Sequence, residues 1–211
     1  MSRAPRLPRR LPRTPGAGAT IVGIDVETAC PEHGAVCAIG VAVVRGGEVR
    51  AERHWLLDPR TRFDPRFIAI HGIRPEDVRG QPALREIWPA LERFISDAVA
   101  SLVAPGLFDG LAASEEGTSV ADPSPALSAL HVAHNAAFDR RQIEAALGGP
   151  LPFPIACTVA MSRRAFPRLE RHNLAVVSRH LGIALRHHDA LSDARACALV
   201  AHHALRAGAA P

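Results

Sequence analysis

The 211-residue chain has no lysine and no tyrosine, only four cysteines, and no long apolar run. Its longest unbroken apolar stretch, near residues 35–44, is far shorter than the ~20 residues that cross a bilayer, so no membrane span is expected. The cysteines, at positions 30, 37, 157 and 197, form no Cys-x-x-Cys pair. This spacing argues against a zinc-ribbon or disulfide framework and is typical of the reduced cytosol, so we expect a cytoplasmic protein.

The basic charge is concentrated at the start of the chain. All 25 basic residues are arginine, and five of them lie in residues 1–19, which contain no acidic residue. The rest of the chain is nearly neutral, so the net charge of +4 is weak support for a nucleic-acid partner. Prolines at positions 5, 8, 12 and 15 interrupt any helix there. We expect residues 1–19 to be a disordered Arg/Pro-rich tail.

Residues 20–207 have the pattern of one α/β domain. Three β-like runs, beginning at Thr20, Ala35 and Glu48, precede helical periodicity over 83–100. A short strand within 129–135 and helices over about 137–147, 174–181 and 189–206 follow, with another short strand entering a helix within 154–161. Strands first and then alternating helices and strands indicate a mixed sheet flanked by helices. Residues 101–128 are rich in Gly, Ser, Pro and acids, which predicts a mobile insertion.

Two like charges end the first apolar strand. Asp25 and Glu27 are two residues apart, so in a strand their side chains project to the same face. Paired carboxylates repel unless a cation lies between them, and Mg²⁺ prefers oxygen ligands. The pair alone also fits a solvent-facing strand end.

Further candidate site residues lie near the predicted starts of helices. Asp139 falls in the first turn of one helix, where the helix dipole alone would stabilise it. His188 precedes another helix and Asp193 lies on it, five residues later, while His187 competes with His188 for any catalytic role. Each of these signals is ambiguous in isolation.

The order of these residues and of the motifs around them in the chain is a more specific signal than any of them alone. The sequence resembles the DEDDh (DnaQ-like) family of 3′-5′ exonucleases, and the resemblance runs over most of residues 21–201. The matching motifs are "DVET" at 25–28, "HGI" at 71–73, "HNAAFD" at 134–139, "HNLAVVSRHLGI" at 172–183 and "HHDALSDA" at 187–194. The resemblance implies an RNase H-like fold, with a mixed five-stranded sheet flanked by helices.

The resemblance also implies roles for these residues. Two Mg²⁺ or Mn²⁺ ions would bind between the four acids, and His188 would act as general base, with His187 as an exposed neighbour. The family's H-x-A pattern and the five-residue step to the last acid favour His188 over His187. The metal ligands are expected to be Asp25, Glu27, Asp139 and Asp193, and the substrate contacts Thr28, His71, Ile73 and Phe138. Ile73 and Phe138 also fit plain core positions.

The expected activity is metal-dependent release of nucleoside 5′-monophosphates from a single-stranded or frayed nucleic-acid 3′ end. The expected substrate is DNA, in proofreading or repair. Trimming of RNA ends stays an alternative, because no residue in the sequence shows whether the site contacts a 2′-hydroxyl group. A non-catalytic polymerase accessory or nucleic-acid-binding module is the alternative of another class. Only 18 residues follow Asp193. We therefore expect no long polymerase-binding tail and a stand-alone enzyme or a homodimer, with association with a polymerase left open as an alternative.

Overall fold

The computed structural model of the chain describes residue 16 and residues 18–102 and 128–211. Most of the predicted disordered tail (1–19) and of the predicted mobile insertion (101–128) therefore lies outside the described residues. Among the residues that are described, no helix is both long and apolar enough to cross a membrane.

A five-stranded mixed sheet forms the centre of the fold. Its strands are β1 (Thr20–Thr28), β2 (Val36–Arg45), β3 (Glu48–Leu56), β4 (Leu130–Ala133) and β5 (Ala156–Cys157). They are ordered β3-β2-β1-β4-β5. The first three run as an antiparallel meander, while β4 is parallel to β1 and β5 is parallel to β4. The prediction of a mixed five-stranded sheet flanked by helices is confirmed.

Helices cover both faces of this sheet. In chain order, the described helices are α1 (Pro65–His71), α2 (Pro75–Val78), α3 (Leu84–Ala100), α4 (Ala136–Leu147), α5 (Thr158–Ala165), α6 (Leu174–Leu181) and α7 (Ala190–Arg206). The helices α3 and α4 pack on one face with Val22, Ile24 and Val26 of β1. The helices α5, α6 and α7 share the other core with Ile21 of β1. Alternation along β1 therefore turns Asp25 and Glu27 toward the face that α7 covers.

Two glycines allow α7 to lie directly on the sheet. A Cβ atom built on Gly23 of β1 would lie 2.0 Å from the carbonyl oxygen of Ala194. One built on Gly40 of β2 would lie 2.2 Å from the carbonyl oxygen of Ala190. Gly40 is also the cross-strand partner of Asp25. The missing side chains therefore bring the start of α7 close to the acid-bearing end of β1.

The predicted elements differ from the structure mainly at their edges. The first strand continues through Asp25 and Glu27 to Thr28, and the strand before α5 has only two residues. The helix predicted from Asp189 begins at Ala190, because the Asp189 side chain is the N-cap and accepts a hydrogen bond from the Ser192 N–H. The sequence pattern did not predict α1 and α2, which are short and begin at Pro65 and Pro75.

Candidate active site

The end of β1 supplies the first two carboxylates. The β1–β2 pairing is regular up to Glu27, opposite Ala38, and then shifts so that Thr28 faces Val36. Cys37 is the extra residue of this β-bulge. Bulges bend a strand and redirect its side chains, and this one lies directly after Glu27, near the end of β1.

The third carboxylate comes from α4. Asp139 lies in the first turn of this helix, 2 % exposed. The backbone N–H of Val26, between Asp25 and Glu27, donates to its Oδ1 atom at 3.3 Å. Asn135 begins the helix in a left-handed conformation with φ of 69°, one that Asn tolerates better than most residues. The turn and the hydrogen bond together fix Asp139 beside the acidic pair.

The fourth carboxylate comes from α7. Asp193 lies in the first turn of that helix and is almost completely buried. One carboxylate oxygen from each of Asp25, Glu27 and Asp193 lies within 4.8 Å of the others. Asp139 is close enough to raise the pKa of both Asp25 and Glu27. We call these four residues the carboxylate pocket.

Burial and mutual repulsion hold protons on this pocket. Burial is the largest cause in each case, and neighbouring carboxylates add to it at Asp25, Glu27 and Asp139. The pKa of Glu27 is raised to about 8 and that of Asp139 to about 7. The pKa values of Asp25 and Asp193 are also raised, although a hydrogen bond from His187 opposes the shift at Asp193. A bound cation would lower these pKa values, because it favours the ionised carboxylates.

The pocket fits a hard divalent cation. Oδ2 of Asp139 and Oδ1 of Asp193 are buried and accept no hydrogen bond from the described residues. A buried oxygen left without a partner costs free energy, more so when it is charged. Mg²⁺ and Mn²⁺ bind carboxylate oxygens, so a cation here would satisfy both atoms and offset the repulsion. All four acids predicted as metal ligands face this pocket.

The two candidate histidines lie beside Asp193. Nδ1 of His187 is 2.9 Å from Oδ2 of Asp193, and the backbone N–H of His188 donates to the same oxygen at 3.1 Å. Burial lowers the pKa of His188, and the adjacent His187 lowers it further. His188 is therefore neutral near pH 7 and able to accept a proton. His187 is exposed, as expected, but the motif did not reveal its contact with Asp193.

His71 joins the end of β1 to the segment between α1 and α2. Its Nδ1 atom accepts from the backbone N–H of Ile73 at 3.0 Å, so its Nε2 atom carries the hydrogen and donates to the carbonyl oxygen of Thr28 at 3.1 Å. Burial lowers the pKa of His71, in keeping with this neutral form. Both ring nitrogens are therefore occupied by the protein's own backbone.

The predicted substrate contacts differ in accessibility. Phe138 is 42 % exposed although its ring is large and apolar, whereas Thr28 is almost fully buried. Ile73 is half-buried and packs against a small cluster that includes Cys30 and Val78. Of the four predicted contacts, Phe138 is thus the most accessible to a nucleic-acid base. The roles of Thr28, His71, Ile73 and Phe138 toward a substrate remain predictions.

Comparison with known proteins finds similarity to exonucleases. Residues 22–106 match the RNase T family model, described as an exonuclease. Over 183 residues the chain is 28% identical to the PolC-type DNA polymerase III of Clostridium perfringens, a match that covers 84% of this chain and 10% of the polymerase. Over 175 residues it is 27% identical to exodeoxyribonuclease 10 of Escherichia coli K12, covering 81% and 61% of the two proteins. The chain thus spans about a tenth of the polymerase and less than two thirds of exodeoxyribonuclease 10.

Solved structures share the fold. Exonuclease X in complex with 5′-overhanging duplex DNA superposes with a TM-score of 0.61 at 20% identity, over 87% of this chain and 90% of that one. The nuclease domain of 3′hExo, a DEDDh family member bound to rAMP, gives 0.61 at 15% identity, over 90% and 94%. The family match, these neighbours and the motif order together confirm the resemblance seen in the sequence. The chain therefore shares the RNase H-like fold of these exonucleases, and its residues 22–106 are similar to the RNase T exonuclease family.

Proposed function

We propose that this domain is a divalent-metal-dependent 3′-5′ exonuclease that releases nucleoside 5′-monophosphates, with DNA as its first substrate. The observation that carries the proposal is the meeting of four carboxylates from three separate elements, β1, α4 and α7, beside a neutral histidine. A buried cluster of mutually repelling carboxylates with raised pKa values is typical of a functional site.

In this proposal each group has one task. Asp25, Glu27, Asp139 and Asp193 hold two Mg²⁺ or Mn²⁺ ions, which when bound supply charge that stabilises the reacting phosphate and the leaving oxygen. His188 accepts the proton of the attacking water, because its ring is neutral and has a nitrogen within 4.8 Å of an oxygen of Asp193. Phe138 offers an exposed aromatic face on which a terminal base stacks.

Polarity and cation dependence are tested together. Single-stranded DNA labelled at its 5′ end is digested with Mg²⁺, with Mn²⁺ and with EDTA, and the products are resolved by length. We expect a ladder that shortens from the 3′ end, nucleoside 5′-monophosphates in solution, and no reaction in EDTA. Release of the labelled 5′ nucleotide as the first product, or full activity in EDTA, would refute the proposal.

RNA is the second candidate substrate. It is favoured by a neighbour described as a 3′-exonuclease that recognises the 3′ end of a histone mRNA stem-loop, with a TM-score of 0.63 at 14% identity. DNA is favoured by the relative named exodeoxyribonuclease and by the neighbour in complex with duplex DNA. Matched DNA and RNA oligomers of one sequence decide between them: equal or faster digestion of the RNA would remove DNA as the first substrate.

A further inference from the structure

Two adjacent histidines at the rim of the pocket have their rings on the same side of the backbone. Side chains of consecutive residues in an extended chain point in opposite directions. His188, however, adopts a left-handed conformation with φ of 66°. The rings of His187 and His188 consequently stack with centroids 4.0 Å apart and planes within 16°. Such a backbone conformation is unfavourable for a residue other than glycine and is concentrated at functional sites.

Both imidazoles lie against one buried carboxylate. One nitrogen of each ring and one oxygen of Asp193 all lie within 4.8 Å of one another. Zinc binds nitrogen and carboxylate oxygen at 2.0–2.2 Å in tetrahedral geometry, so its ligand atoms are about 3.3 Å apart. Both histidines are exposed, which leaves room for their side chains to rotate toward that spacing. Asp193, held in the first turn of α7, is the fixed member.

The donor atoms of this trio differ from those of the carboxylate pocket. Two imidazole nitrogens and one carboxylate oxygen suit Zn²⁺ and other late first-row ions, whereas an all-carboxylate set suits Mg²⁺ and Mn²⁺. Three protein ligands with a fourth position open to water are a common zinc arrangement. We propose that His187, His188 and Asp193 form a second, transition-metal site, which binds Zn²⁺ and thereby inhibits the exonuclease.

Inhibition follows from the ligands themselves. A His188 nitrogen bound to Zn²⁺ no longer has the lone pair that accepts a proton from water. Asp193 can serve both sites, because Oδ2 lies against the histidines while Oδ1 is buried without a partner among the described residues. The inhibitory consequence rests on the proposed exonuclease function, but the binding of Zn²⁺ does not.

Zn²⁺ binding is measured in a variant whose carboxylate pocket has lost one of its four acids. In the Asp25→Asn protein, Zn²⁺ is titrated by calorimetry, and Co²⁺ reports nitrogen ligands through its visible absorption spectrum. We expect one Zn²⁺ site that survives Asp25→Asn and weakens at least tenfold in Asp25→Asn/His187→Ala. His180→Ala in the same background removes another exposed histidine and should leave the affinity unchanged. Equal Zn²⁺ affinity with and without His187 would overturn the proposal.

Inhibition is measured in the active protein with Mg²⁺ in large excess. The Zn²⁺ concentration that halves the rate is determined for the parent, His180→Ala and His187→Ala, each relative to its own rate without Zn²⁺. We expect His187→Ala to need at least tenfold more Zn²⁺ and His180→Ala to match the parent. The same midpoint in all three proteins would contradict the proposal. If the parent digests no nucleic acid, the exonuclease function fails, and the binding titration still decides the zinc site.

Discussion

At the scale of single residues, His188 is the predicted catalytic group that can be removed without removing a predicted Mg²⁺ ligand. Its side chain lies beside the carboxylate pocket, and the hydrogen bond that it donates to Asp193 comes from the backbone N–H, which a substitution keeps. Removing the imidazole therefore removes a proton acceptor and leaves the four acids in place.

We expect His188→Ala to lower kcat by roughly 10²–10⁴-fold, the usual contribution of a general base. The Mg²⁺ affinity, measured by calorimetry, should stay close to that of the parent. His180→Ala is the matched control, since it removes an exposed histidine that lies on α6. A His188→Ala enzyme as fast as the parent would show that another group accepts the proton.

The two hydrogen bonds of the His71 ring can be removed separately, because its two nitrogens bond to two different backbone groups. His71→Asn keeps an acceptor near the position of Nδ1, and His71→Gln keeps a donor near that of Nε2. We expect each to lower the free energy of unfolding by about 1 kcal/mol, and His71→Phe, which loses both bonds, by about 2 kcal/mol. Urea unfolding of the metal-free proteins measures this. A His71→Phe protein as stable as the parent would show that the two hydrogen bonds do not stabilise the fold.

At the scale of elements, the site depends on how closely α7 lies on β1 and β2. The motif around Asp193 predicts the helix but not its distance from the sheet, which Gly23 and Gly40 set. Helices α4 and α7 each present an acid in their first turn, where the helix dipole stabilises the ionised form. The geometry of the pocket is thus a property of packing as well as of the motifs.

We expect Gly40→Ala to lower the free energy of unfolding by about 3 kcal/mol or more, which is the upper end of the usual cost of overpacking a core. The added Cβ would meet the backbone of Ala190 and Leu191 rather than a movable side chain. The resulting shift of α7 should also weaken Mg²⁺ binding through Asp193. Gly149→Ala is the control, since no atom of the described part of the chain lies within 4 Å of a Cβ built there.

Thermal unfolding and Mg²⁺ titration of both variants check this prediction. Unchanged stability and Mg²⁺ affinity in Gly40→Ala would mean that the close approach of α7 is not required.

The sequence predicted the elements that carry periodicity and the residues that carry motifs. The alternation in β1 placed Asp25 and Glu27 on one face, and the apolar spacing over 83–100 gave α3 to within one residue. It could not predict α1 and α2, since seven and four residues are too few for a periodic pattern. The contact of His187 with Asp193 was also missed, because it depends on the φ of a single residue, His188.

At the scale of the whole molecule, the pocket couples folding to pH and to metal. The raised pKa values of Glu27, about 8, and Asp139, about 7, mean that the metal-free folded protein keeps protons that the unfolded chain loses near pH 4. The folded state binds more protons between these values, so its stability falls as the pH rises from about 4 to about 8. A cation that binds only the folded state restores stability.

We therefore expect the Tm in EDTA to fall across that pH range more steeply for the parent than for Glu27→Gln, which removes one of the titrating acids. Saturating Mg²⁺ or Mn²⁺ should raise the Tm of the parent most at the high end of the range. Glu170→Gln, an exposed position, controls for loss of an acid elsewhere. Parallel Tm curves for the parent and Glu27→Gln would show that the pocket does not hold extra protons.

The most direct test is the effect of Asp139→Asn on the release of nucleoside 5′-monophosphates from a single-stranded DNA 3′ end with Mg²⁺. Asn has nearly the same shape and can keep the hydrogen bond from the Val26 N–H, so the fold should persist. The control, Asp97→Asn, changes an exposed acid on α3. If acids from β1, α4 and α7 form one metal site, Asp139→Asn is folded and inactive while Asp97→Asn matches the parent. A folded Asp139→Asn protein that digests DNA at the parent rate would contradict that claim.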